Sequence, residues 1–228
     1  MKKRTLLILI NALMLLILLS SGCLQKDTEF LPLIFSDFTD YAMISTEKND
    51  LIITLKEEKI TDYLNALIYT MIDSESVFCG MKTNGTVYRI GKLSTIQTPE
   101  ELLSMERVKI FGNDAIKFHG ILGTNYAIGY YYVYNGDFSD SFFLIEGNLT
   151  ETDLTGNGKN EIIATMGTIP ETSIYIMNEQ SIQVSNINKS VNAVSARFLD
   201  SDSKTFELFF EPDKPKLYIY KDKKLKVR

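Results

Sequence analysis

Between Asp153 and Glu161 the chain reads Asp153-Leu154-Thr155-Gly156-Asn157-Gly158-Lys159-Asn160-Glu161, a stretch in which oxygen-bearing side chains recur at alternate positions. Asp153, Thr155, Asn157 and Glu161 offer side-chain oxygens, and Lys159 offers its backbone carbonyl. A calcium ion takes roughly six to eight oxygens at about 2.4 Å, and a tight loop supplies them by turning alternate residues inward. Gly158 permits the sharp turn such a loop needs. Only Asp153 and Glu161 carry formal charge, so the affinity expected is low, on the order of 0.1 to 1 mM. The alternative is a glycine-rich turn that holds its own hydrogen bonds and binds nothing.

An EF-hand needs a bidentate Glu at the twelfth position, and here that position is Ala164. The segment instead resembles the shorter calcium loops of FG-GAP and VCBS repeats, which run Asp-x-Asp-x-Asp-Gly-x-x-Asp into a β-strand. Ile162-Ile163-Ala164 stands where that strand begins, and Thr155 and Asn157 stand where the pattern has acidic residues. The resemblance covers about 20 residues and occurs once. It implies a calcium ion held by Asp153, Thr155, Asn157, Lys159 and Glu161. The wider stretch, from Val108-Lys109-Ile110-Phe111-Gly112 through the loop to Gly167-Thr168-Ile169-Pro170, is similar to lipoproteins of Gram-positive bacteria.

Cys23 is the second residue with a chemical reading. Lys2, Lys3 and Arg4 precede an apolar run from Leu6 to Leu19 that only Asn11 interrupts. As a helix this run is about 21 Å long, short of the hydrocarbon core of about 30 Å and fitting for a cleaved signal segment. Leu19-Ser20-Ser21-Gly22-Cys23 resembles the lipobox of bacterial lipoproteins, with Ser20 at the position that usually holds Leu. The resemblance implies cleavage before Cys23, its acylation, and a lipid anchor on the outer face of the cell membrane. Two acyl chains anchor stably where one is marginal.

Other chemistry is sparse. The single histidine, His119, lies in a strand-like segment and has no partner assignable by spacing. No Gly-x-Ser-x-Gly elbow and no His-Glu-x-x-His motif occurs. Gly85 to Lys92 imitates a phosphate loop, but its spacing is one residue too long and Leu93 replaces the Ser or Thr. Paired carboxylates of a glycosidase type leave no local signature, because the fold sets their separation. Cys79, in Val77-Phe78-Cys79-Gly80, reads as a buried structural thiol. Tyr130, Tyr132 and Tyr134 share one strand face and Tyr131 takes the other, a pattern that suits packing and also suits a stacking platform for a glycan or peptide.

The elements positioning these residues are mainly strands. From residue 106 onward apolar runs recur about every ten residues, at 108–111, 115–121, 127–134, 141–146, 161–165, 172–177, 181–187, 191–198, 205–210 and 216–220. Turn residues such as Gly112-Asn113-Asp114 and Asn135-Gly136-Asp137 separate them, predicting a mainly β fold: an antiparallel meander, propeller-blade-like or a sandwich. The lack of a clean internal repeat counts against a regular multi-blade propeller. Residues 31–105 read as mixed. Ile60, Tyr63, Leu64, Leu67, Ile68 and Met71 predict an amphipathic helix over 57–72, Asn84-Gly85 a hairpin, and Thr98-Pro99-Glu100-Glu101 the start of a short helix. The expected organisation is therefore a leader over 1–22, an acylated cysteine and tether over 23–30, the mixed portion, and the β portion over 106–228.

Composition bounds the function. Hydrophobic residues make up 45% and charged residues 23%, as in packed globular chains. The whole chain carries a net charge of −5, and the leader holds three basic and no acidic residues, so the mature part is more acidic still. Phosphate neutralisation requires clustered Lys and Arg, so no nucleic-acid partner is expected. The basic run Lys221 to Arg228 reads as a short tail that keeps the end solvated. The sequence thus predicts a lipid-anchored extracytoplasmic protein, calcium-stabilised at one loop, that binds or scaffolds a surface protein or glycan. The alternative is a cell-envelope hydrolase using paired carboxylates.

Overall fold

The computed structural model describes residues 30–39, 41–45, 51–123, 126–134, 138–179 and 181–228. The leader, Cys23 and the Asn135-Gly136-Asp137 turn lie outside the described residues. Four very short strands come first: β1 (Phe30–Pro32), β2 (Ser36–Asp37), β3 (Tyr41–Ala42) and β4 (Ile44–Ser45). Sixteen longer strands follow in four consecutive antiparallel meanders. The first sheet holds β5 (Ile52–Lys59), β6 (Leu64–Met71), β7 (Ser76–Thr83) and β8 (Thr86–Thr95). The second holds β9 (Ser104–Ile110), β10 (Asn113–Gly123), β11 (Tyr126–Val133) and β12 (Ser141–Glu146). The third holds β13 (Asn148–Thr152), β14 (Glu161–Met166), β15 (Glu171–Asn178) and β16 (Ser181–Asn186). A one-turn helix, α1 (Ile187–Val191), leads to the fourth, with β17 (Ser195–Asp200), β18 (Thr205–Phe209), β19 (Pro215–Lys221) and β20 (Lys224–Val227). The mainly β, antiparallel expectation therefore holds.

The short N-terminal strands complete these sheets in reverse order. β1 pairs with β20, β2 with β16, β3 with β12 and β4 with β8, so each sheet gains a fifth strand at the edge of its last long strand. One segment of chain, residues 30 to 45, thus closes an edge of every sheet. Its side chains also fill the seams between sheets. Leu33 is buried in the core shared by the third and fourth sheets, with Leu31 and Phe35 packed against it. Phe38 packs on the core between the second and third, edge-on to Tyr175 with ring centroids 5.2 Å apart. Met43 packs on the core between the first and second. Backbone bonds from Leu33 N to Lys223 O, Phe38 N to Ile182 O and Met43 N to Asp140 O hold the strap between its strands.

Three buried clusters join the sheets in chain order, and glycines allow two of the closest approaches. A Cβ built on Gly120 of β10 would lie 2.3 Å from the Leu93 carbonyl oxygen, and one on Gly91 of β8 would lie 2.3 Å from the Tyr130 ring. Tyr130 and Tyr132 are buried in the core between the first and second sheets, and Tyr131 in the core between the second and third. The tyrosine run is therefore packing on both faces of β11, not a stacking platform. Cys79 is fully buried, its Sγ 3.7 Å from the Gly91 carbonyl oxygen, and burial pushes the thiol's pKa well up.

Several expectations need correction. The helix predicted over 57–72 is the β5–β6 hairpin. Leu64 and every residue from Ala66 to Thr70 are buried, so β6 is covered on both faces and lacks strand alternation, which let its apolar spacing imitate a helix. The predicted start at Thr98-Pro99 is a single 3-10 turn, Glu100–Leu102. The boundary drawn at 105 falls inside β9, and the strap crosses it. β13 and β20 were not foreseen, and the basic run at 221–228 is no tail: it is largely β20, with Leu225 fully buried. Asn84-Gly85 does form the β7–β8 hairpin, both residues at positive φ as an Asn-Gly turn requires.

Truncating the strap where it enters a core should weaken the whole fold. Leu33→Ala is expected to cost about 2 to 4 kcal/mol, lowering the thermal midpoint by about 5 to 15 °C. Circular-dichroism melting measures it, and an unchanged midpoint would show that the strap is dispensable.

Candidate functional site

β13 ends at Thr152 and β14 begins at Glu161, so the loop singled out by sequence is the hairpin connection of the third sheet. Gly156 and Gly158 both take φ +79°, a left-handed conformation that lets the chain curl around Asp153. The Asp153 carboxylate accepts from three amides: Gly156 N (2.7 Å) and Asn157 N (2.9 Å) on Oδ1, and Gly158 N (2.9 Å) on Oδ2. Desolvation pushes this carboxyl's pKa up, but the amides of Gly158, Gly156 and Asn157, aided by the Lys204 ammonium, outweigh it and hold it low. Asn157 Oδ1 accepts from Lys159 N at 2.8 Å.

At the far end Glu161 is buried and accepts from Thr155 twice, from its amide and its hydroxyl, each at 3.0 Å. Burial raises its pKa despite those two donors. The loop is fastened to the body by the buried Leu154, by Asn160 Nδ2 donating to Lys109 O, and by Phe111 N donating to Asn160 O. The fold thus gathers Asp153, Thr155, Asn157, Lys159 and Glu161 into one loop. The side-chain oxygens of Asp153, Asn157 and Glu161 accept hydrogen bonds from the loop itself, Thr155 donates its hydroxyl to Glu161, and an added cation would have to share Asp153 with three amides. Among the described residues no three Asp, Glu, His or Cys side chains cluster as a high-charge metal cage requires.

A second polar group, which sequence reasoning missed, lies between the second and third sheets. Lys117 of β10 is buried, and its ammonium stands 2.9 Å from Glu151 of β13 and 3.7 Å from Glu106 of β9. Tyr131 of β11 donates its hydroxyl to the same Glu151 carboxylate, and burial, then Glu151, push the phenol well up. His119, two residues along β10, is half-buried; burial first, then the Lys117 charge, push its imidazole's pKa down. Two carboxylates do converge here, but on an ammonium, so the polar atoms are engaged with each other across the seam. Period-2 alternation on β10 puts Lys117 and His119 on one face, but the residues they meet on β9 and β13 are set by pairing and stacking.

Tyr69 Oη is a further buried oxygen, without a hydrogen-bond partner among the described residues, on the face of the first sheet where Leu67 and Val87 are also buried. A shallow apolar groove runs beside Thr98, Pro99, Leu102, Ile121 and Leu122, where β8 and β10 end together. Among the described residues no helix is long and apolar enough to cross a membrane. No family model matches this chain, and no curated protein and no solved structure matches it.

Removing one member of the buried ion pair should cost more than removing both. Glu151→Leu leaves Lys117 with one longer contact and is expected to destabilise by about 3 kcal/mol, whereas adding Lys117→Met to it should recover much of that loss. Denaturant unfolding of both single variants and the double gives the coupling, and additive effects would show that the pair is not coupled.

Proposed function

We propose that this chain is a lipid-anchored extracytoplasmic protein that binds or scaffolds a partner at the cell surface, with no reaction of its own. The observation that carries the reading is the continuity between the strap and the lipobox-like cysteine. Cys23 stands only seven residues before Phe30, and the segment that follows is built into all four sheets. A load applied at Cys23 is thus shared by backbone pairs in every sheet, an arrangement suited to holding a stiff body at a surface. The polar cluster around Lys117 supports binding over hydrolysis, because its carboxylates meet an ammonium and a phenol within a packed seam.

Calcium enters the same reading as a weak ligand of the 153–161 loop. It would share Asp153 with the loop amides, so its effect is to stiffen a turn that already closes on itself. Bound to the folded state alone, about 5 mM calcium at a dissociation constant near 0.5 mM would add about 1.4 kcal/mol.

Two measurements test the reading. In the bacterial cell, Cys23→Ala is expected to abolish palmitate labelling and release the protein from the membrane fraction or leave its leader uncleaved; normal acylation and retention would end the anchor proposal. Thermal unfolding of residues 24–228 is expected to shift up by a few degrees with calcium, and Asp153→Ala to lose that shift. The variant should also be less stable without calcium, by about 1 kcal/mol for the lost amide acceptor. Because the folded Asp153 pKa is depressed, that deficit is fully present above the unfolded aspartate value of about 3.9 and fades as pH falls through the folded one. A midpoint that calcium does not move in either protein would make the segment a bare turn.

A further inference from the structure

The acidic and basic residues of this chain are segregated. Between residues 24 and 213 there are 14 basic and 28 acidic residues, and between 214 and 228 there are seven basic and one acidic. The basic stretch is the β19–β20 hairpin of the fourth sheet, next to its edge strand β1. Lys221, Lys224 and Lys226 alternate with the buried Tyr220 and Leu225, so they share the face turned away from the core. Phe30 stands opposite Lys226 on that face, Pro32 opposite Lys224, and both ammonium groups lie within 6 Å of the Phe30 ring. Leu217 and Phe30, each more than a third exposed, add apolar area beside the charges. Arg228 lies across the same sheet, donating to Thr205 Oγ1.

The first described strand, β1, lies at this patch. Phe30 is the first residue of β1 and stands seven positions after Cys23. Fully extended, that segment spans about 25 Å at most. A lipid on Cys23 therefore confines the basic hairpin near the headgroups, where a screening length of about 8 Å still lets charges act. Each basic residue near an anionic bilayer contributes roughly fivefold to partitioning. The acidic remainder of the body is repelled from the same surface, so the charge distribution orients the molecule as well as holding it.

We propose that the outward face of the β19–β20 hairpin, with Phe30 beside it, docks on the anionic headgroups of the bilayer, so that the fourth sheet faces the membrane and the first sheet points away. The orientation rests on the lipid anchor proposed above; the charge and geometry of the face do not. The occupant is a lipid surface because the charges spread over an open sheet face at the foot of the tether, with exposed apolar side chains between them.

The test is amine labelling of the full chain reconstituted in vesicles of phosphatidylcholine alone or mixed with phosphatidylglycerol, read by peptide mass analysis. Labelling of Lys221, Lys224 and Lys226 is expected to fall about threefold or more on the anionic vesicles, and high salt to restore it, while Lys59 and Lys92 of the first sheet stay unchanged. Equal labelling of the hairpin on the two vesicle types, or a fall spread evenly over the whole chain, overturns the docking. Palmitate incorporation at Cys23, measured separately, keeps the two ideas apart. An acylated chain with an unprotected hairpin retains the anchor and rejects the docking, whereas a protected hairpin without acylation does the reverse.

Discussion

Everything in this fold depends on satisfying the free edge of the last long strand in each sheet. Four antiparallel meanders leave four such edges, each a row of unpaired amides and carbonyls open to pairing with another chain. Residues 30 to 45 close them with strands of two or three residues, too short to be stable as isolated pairs. They are stable because the same residues place Leu33, Phe38 and Met43 into the three cores between sheets. Burial of apolar side chains offsets the entropy of ordering the strap, and the ordered strap supplies the missing backbone partners.

The seams between sheets add a second constraint, that of close approach. Gly91 and Gly120 let the first two sheets meet where any larger residue would strike a ring or a carbonyl. Between the second and third sheets the seam instead encloses Lys117, paired with Glu151 and Glu106, and Tyr131 donates to Glu151 in turn. A lone ammonium there would be costly to desolvate, so these contacts are a condition of burying it as much as a source of stability. They also fix the registration of one sheet against the next, since the pair forms only when β10 and β13 align.

The loop at 153–161 and the basic hairpin show how local chemistry acquires direction. Asp153 organises its own turn through three amides, and Asn160 and Leu154 then pin that turn to the body. The hairpin's lysines would be ordinary solvated charges in a loose tail. On β19 and β20, beside β1, they become one face of the fourth sheet.

By itself the sequence determined the class of fold, the Asn84-Gly85 hairpin and the bounds of the 153–161 loop. These follow from interactions within a few residues: alternation, turn conformers, and an acidic side chain capping nearby amides. Tertiary structure alone decided the rest. β6 reads as a helix in sequence because burial on both faces erases strand alternation. The strap's role was invisible because its partners lie as far away as Lys226, and nothing local distinguishes a two-residue edge strand from a loop. Lys117 and Glu151 are 34 positions apart and ordinary in their own strands; only the stacking of two sheets makes them a pair. Contacts between distant segments are set by how faces pack, and packing is a property of the whole chain.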